Sequence, residues 1–175
     1  MFLIWQEIKC LKMNNDIKKC PSCGAVGVDS VEACQAQFVK VLNREFADPN
    51  YFKAHRLTVD AYCLQHPEQY MVSSKSAAAH LAGMCWSMER GYSLHLHSTL
   101  KKWVDGKRTY TRVAPPPQLS RGKLTINHVQ NISDPEQYFR AVTEWAESAW
   151  KAWSPHWPQA RKWVKEAVSE SNQLD

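Results

Sequence analysis

Apolar residues recur along this chain at intervals of three and four, the spacing of helices packed on one face. Val31, Cys34, Phe38, Val41, Leu42 and Phe46 form one such stripe, predicting a helix from about 31 to 47. Asp29-Ser30-Val31-Glu32 supplies its cap and first turn. Asp48-Pro49 ends that helix and opens the next, with Asp as cap and Pro at the first helical position. Leu57, Ala61 and Leu64 stripe a segment that starts at His55 and stops before Pro67. Ala77, His80, Leu81, Met84, Cys85 and Met88 mark a further helix, capped by Ser73 or Ser74 and stopped by Gly91.

Beyond Gly91 the pattern weakens. Tyr92 to Val104 fits a short helix, Arg108 to Val113 an extended run, and Pro115-Pro116-Pro117 a stiff connection. Leu124 to Ile132 suits a strand as well as a helix. Ser133-Asp134-Pro135-Glu136 then reads as a strong start, with Ser133 as cap. Tyr138, Val142, Trp145, Ala149 and Trp153 follow as the core stripe of a long helix. Ser154-Pro155 breaks it and begins another, through Trp163 to about Val168. The expected fold is therefore all-α, a bundle of four to five main helices with a short irregular or extended insert.

A chain of 175 residues suits one domain with a real core. We expect that domain to span 19–170, with a flexible extension over 1–18, a tail over 171–175 and a basic insert over 101–125. Met13 begins a second plausible start of translation inside the extension. Eight Trp are the one unusual count, and Trp145, Trp150, Trp153, Trp157 and Trp163 at helical spacings predict packing rather than ligand contacts. No apolar run approaches the roughly 18 residues that span a membrane, and no export signal opens the chain. Six Cys without an export signal indicate a cytoplasmic chain with reduced thiols.

Candidate chemistry begins at Cys20-Pro-Ser-Cys23-Gly24. Its Pro and Gly favour a tight knuckle in which two thiolates converge on one ion, as in structural zinc sites. A redox pair is the alternative, but no strand pattern precedes Cys20. No second Cys-x-x-Cys exists, so the remaining ligands must come from elsewhere. Folding the chain back near residue 49 brings Cys34 opposite position 64, beside Cys63 and His66. Folding it again near residue 72 brings His80 to the same level. The expected cofactor is one zinc held by Cys20, Cys23, Cys34 and His66, with His80 the substitute for His66.

The segment His55 to Pro67 carries more polar chemistry than a core helix needs. His55, Val59, Tyr62 and His66 share one stripe, and Arg56 and Asp60 stand four apart on the next. His55 lies eleven residues from His66, about 16 Å of straight helix, too far to share its metal. His55, Asp60, Tyr62 and His80 are the candidate lining of a polar pocket.

These residues carry a resemblance. The Cys-Pro-Ser-Cys-Gly knuckle, Cys34, His-Arg-Leu-Thr-Val-Asp-Ala-Tyr-Cys-Leu-Gln-His-Pro at 55–67, Ala79-His80-Leu81 and the Trp-rich run to His156 resemble an uncharacterised bacterial family over about 19–165. The likeness implies that Cys20, Cys23, Cys34, His55, Asp60, Tyr62, His66 and His80 are motif positions, and it implies no activity. Members of that family often carry a further His between the knuckle and the third Cys, which Ala25 to Ala33 lacks here. A weaker, architectural likeness is to DinB-like bundles, which hold a metal with three His and include thiol transferases. The expected His-x-x-x-His pair is missing, since His95 and His97 stand two apart.

Three functions follow as alternatives. The first is a binding or regulatory module with a structural zinc, its partner a small molecule or protein. The second is a metal-dependent enzyme of the DinB-like kind, a hydrolase or thiol transferase. The third is weak nucleic-acid binding through Lys101, Lys102, Lys107, Arg108, Arg112, Arg121 and Lys123, which face the single acid Asp105 in that stretch. The chain's formal charge of +5 is mild, so this cluster holds more positive charge than the whole. A solvated charged loop is its simpler reading.

Overall fold

A computed structural model describes residues 18–91 and 93–171. Expectations about residues 1–17, including a start at Met13, and about 172–175 fall outside the described residues, as does Tyr92. The helices run in order as α1 (Val31–Ala47), α2 (Pro49–Phe52), α3 (His55–Gln65), α4 (Pro67–Tyr70), α5 (Ser74–Arg90), α6 (Leu94–Asp105), α7 (Pro135–Ala152) and α8 (Trp157–Ser171). Single 3-10 turns lie at Ile126–His128 and Ser154–His156. Among the described residues no strand forms, so the all-α expectation holds.

The ends of these helices follow from local chemistry. Ser30 caps α1 by accepting from the Ala33 amide at 3.1 Å, leaving Asp29 to pair with Lys18. Asp48 caps α2 with Pro49 in its first turn, as expected. Ser73 and Ser76 close a reciprocal capping box on α5, and Gly91 ends that helix. The α7 cap is Asp134 rather than Ser133, because the Asp134 carboxylate reaches the Gln137 amide at 2.8 Å. Ser133 is engaged otherwise, its carbonyl accepting from the Tyr51 hydroxyl. Leu124 to Ile132 becomes neither strand nor α-helix, only the turn at Ile126–His128.

Packing places α3 at the centre, against α5 on one side and α7 on the other, while α6 and α8 pack with α5. Trp145, Trp153 and Trp163 are buried, and the Nε1–H groups of Trp145 and Trp153 find α3 acceptors at Gln65 Oε1 and the Leu64 carbonyl. Trp157 stacks on Trp150 with ring centres 5.5 Å apart. The tryptophans thus belong to packing, and truncating one buried Trp costs about 3–5 kcal/mol.

One face of α1 departs from expectation. Phe46 is 65% exposed, whereas Glu45 is fully buried. Glu45 lies 11, 7 and 4 residues after Cys34, Phe38 and Val41, so it continues their stripe better than Phe46 does.

Candidate metal centre

Three segments converge at the C-terminal end of α3. The knuckle turns on a backbone bond from the Gly24 amide to the Cys20 carbonyl at 2.9 Å, with Gly24 at φ 81° in the left-handed region. The Cys20 amide then bonds the Ala25 carbonyl at 2.9 Å, and Lys19 pairs with Val26 in an isolated antiparallel bridge. This small loop is tied down through Ser22. Its hydroxyl donates to the Gln65 carbonyl at 2.9 Å and accepts from Arg121 Nη1 at 2.8 Å. Cys20 and Cys23 are thereby held over the end of α3.

Cys34 arrives from the first turns of α1, and His66 caps α3 just before Pro67. The Cys20, Cys23 and Cys34 sulfurs and a His66 ring nitrogen all lie within 4.8 Å of one another, and all four residues are buried. Cys23 and Cys34 Sγ are 3.8 Å apart, and Cys20 Sγ is 3.6 Å from His66 Nε2. An ion bonded tetrahedrally at about 2.3 Å to sulfur and about 2.0–2.1 Å to nitrogen separates its ligands by roughly 3.5–3.8 Å. These two spacings match that geometry. The thiols are free rather than bridged.

The His66 ring is oriented for this task. Its Nδ1 lies 3.0 Å from the Tyr62 carbonyl, which can only accept, so Nδ1 carries a proton and Nε2 is the ring nitrogen that faces Cys20. A histidine ligand is ordinarily fixed in this way by a backbone carbonyl or carboxylate behind it. The thiols show the electrostatic character of the cluster. Cys20 is drawn far below the ordinary thiol range by hydrogen bonds from Cys23 first and Cys34 second. Cys23 is pushed up by its hydrogen bond to Cys20, and Cys34 is pushed up to about 12 with Cys20 again the leading cause. The opposite directions arise because the three thiols share hydrogen bonds with one another. A divalent cation replaces that sharing, because thiolates are the ligands and their protons leave on binding.

The four residues expected to line one pocket occupy three separate neighbourhoods. Tyr62 belongs to the cysteine cluster, its ring parallel to His66 at 4.0 Å. His55 gives its Nδ1 proton to the buried Glu45 carboxylate at 2.8 Å, and that carboxylate also accepts from Thr58 Oγ1 and the Tyr138 hydroxyl, each at 2.5 Å. Asp60 accepts from Arg56 Nε at 2.6 Å and His80 Nδ1 at 2.9 Å. His80 thus serves Asp60 and does not join the cluster, so His66 and not its substitute is the nitrogen beside the thiols. Gly83 makes room for that ion pair, since a Cβ there would stand 1.7 Å from Arg56 Nη2. A groove of about 570 Å³ between Met71 and the Arg112–Pro115 run includes none of His55, Asp60, Tyr62 and His80 in its walls. The three-His arrangement of DinB-like bundles does not form among the described residues, where only one cluster of metal-ligating side chains gathers.

The basic insert is also redistributed. Arg121 is buried and forks onto Glu68, holding that carboxyl below its usual range, while its Nε bonds the Pro116 carbonyl at 3.0 Å. Arg108 pairs with Glu170, and Lys101 with Asp105. Lys102, Lys107, Arg112 and Lys123 have no ion pair among the described residues. Sequence reasoning missed Arg121 as the strut of the knuckle, since an arginine in a basic run carries no mark of burial. It missed Glu45 as well, although helical phase alone placed that residue inward.

The chain belongs to the family of unknown function DUF5946, whose model matches residues 18–154. That span takes in the knuckle, the cluster, the central helix and the whole of α7. No curated protein and no solved structure matches the chain.

Proposed function

We propose that Cys20, Cys23, Cys34 and His66 bind one zinc ion in a closed structural site, and that the protein is a binding or regulatory module whose knuckle that ion secures. The observation that carries this reading is the convergence of four buried ligand atoms within 4.8 Å from three separate segments. Three sulfurs and one imidazole nitrogen are the donor set of many structural zinc sites, and soft thiolates favour zinc over the hard, oxygen-loving cations. Four protein ligands leave no open position for water, which separates a structural ion from a catalytic one. The chemistry of the ion here is cross-linking: it fastens residues 20–23 and α1 to the end of α3, so its binding free energy adds to folding free energy. Its thiols would persist as ligands in a reducing compartment such as the cytoplasm.

The test is metal analysis and X-ray absorption on purified protein. The expected result is one zinc per chain with sulfur and nitrogen in a ratio near three to one. Cys20→Ser is expected to lower zinc content and melting temperature together. Unchanged zinc stoichiometry in that variant refutes the assignment.

A further inference from the structure

Tyr62 touches two of the four residues in the cluster in two different ways. Its carbonyl accepts the His66 Nδ1 proton at 3.0 Å, which sets the tautomer of that ring. Its side chain is fully buried, stacked on Phe38 at 3.9 Å and 3° on one face and on His66 at 4.0 Å and 18° on the other. Two parallel neighbours hold the phenol in one plane, so the hydroxyl sits at a fixed point. That hydroxyl has no hydrogen-bond partner, and the polar group it approaches is the Cys34 sulfur.

An unpartnered buried hydroxyl has lost its hydration with nothing in return, so its retention calls for an account. Phenylalanine would fill the same sandwich without that cost. A neutral thiol is a weak acceptor, whereas a metal-bound thiolate is an anion, and hydrogen bonds to charged sulfur or oxygen are roughly twice as strong as neutral ones.

We propose that the Tyr62 hydroxyl is a positioning donor for the metal centre: it gives its hydrogen bond to the Cys34 sulfur when that sulfur is a metal-bound thiolate. This rests on the zinc reading above. The Cys34 proton leaves to solvent as the sulfur–metal bond forms, and the phenol keeps its own proton throughout. Tyr62 then orients one ligand through its backbone and steadies a second through its side chain. The same bond withdraws electron density from Cys34, as outer-shell donors do at other metal sites.

The experiment is Tyr62→Phe in the full chain, read in three ways. Competition with a chromophoric zinc chelator should show affinity weakened by about 10- to 100-fold relative to the native chain, the usual effect of losing such a donor. In the cobalt-substituted protein, the sulfur-to-cobalt charge-transfer band should move to longer wavelength, because an unbonded thiolate holds its electrons less tightly. Melting of the metal-stripped chain should be unchanged or higher, since an unpartnered hydroxyl has gone. Equal zinc affinity with an unmoved cobalt band overturns the inference. So does a loss of affinity matched by an equal loss in the metal-stripped chain, which marks a role in packing alone. A native chain that binds no zinc overturns the zinc reading itself, a result distinct from either.

Discussion

At the start of α3, His55 gives its Nδ1 proton to Glu45; at the end of the same helix, His66 gives its own to the Tyr62 carbonyl and turns Nε2 toward three thiols. The start of the helix is closed on itself. The Glu45 carboxylate accepts from His55, Thr58 and Tyr138, and Arg44 lies across the Tyr138 ring at 4.4 Å while bonding the Ile132 carbonyl at 2.8 Å. Apart from the buried Arg44 Nε, the polar side-chain groups there are answered by another side chain or carbonyl of the protein. The end of the helix is different. Its thiols hydrogen-bond chiefly to one another, no Lys or Arg side chain pairs with them among the described residues, and the neighbouring phenol hydroxyl is left over. Burying a polar group is costly unless it is hydrogen-bonded or paired. One end of α3 thus meets that rule largely within the protein, and the other gathers four buried ligand atoms close enough to hold a cation.

Three experiments sharpen this contrast. The largest effect is expected from Glu45→Ala, which strips three donors of their shared acceptor at once. Leaving a buried donor without its acceptor costs about 1–3 kcal/mol, and a stability measured by chemical denaturation lowered by at least that much is the expected outcome. Zinc content of the folded variant should stay at the native level, because the knuckle is tied to the other end of α3. A matching loss of zinc would show that the two ends are one cooperative unit rather than two.

The second is alkaline titration. Burial first, and the Glu45 charge second, push the Tyr138 hydroxyl above its ordinary range. A raised pKa in the fold means that Tyr138 contributes stability fully present below the unfolded value, about 10, and lost as pH rises above it. At pH 11 the loss is about 1.4 kcal/mol, one unit past that value. Denaturation curves at pH 8 and 11 should therefore converge by that amount in Tyr138→Phe relative to the native chain. The metal end should fail in the opposite direction, since protons compete with zinc for thiolates as pH falls. A native chain losing zinc in alkali rather than acid would break the comparison.

The smallest effect is expected from His55→Gln. Glutamine keeps an N–H donor for Glu45, so the change should cost no more than one ordinary hydrogen bond, about 0.5–1.5 kcal/mol. A larger loss would assign the stacking of His55 on Phe52, at 4.9 Å and 11°, a greater share than the hydrogen bond.

Helix identity was open to reading in the chain because it rests on short-range facts. Apolar period, Asp48-Pro49, Ser73 and Gly91 each act within one or two turns, and the elements they mark formed where expected. The knuckle was readable for the same reason, as Cys20 and Cys23 stand three apart with a glycine at the turn. Cys34 and His66 followed from fold-back registers, which need only helix length and the position of a turn. What tertiary structure alone decided was the partner of each polar side chain. His80 has the right register for the cluster, yet the fold sets its Nδ1 2.9 Å from the Asp60 carboxylate instead. Arg121 shares its composition with six neighbouring cations, yet only the fold brings it to Glu68 and Ser22 and buries it. Spacing along a chain sets which residues share a face. Burial and partner choice depend on which other segment covers that face, a fact stored in contacts between residues as far apart as Ser22 and Arg121.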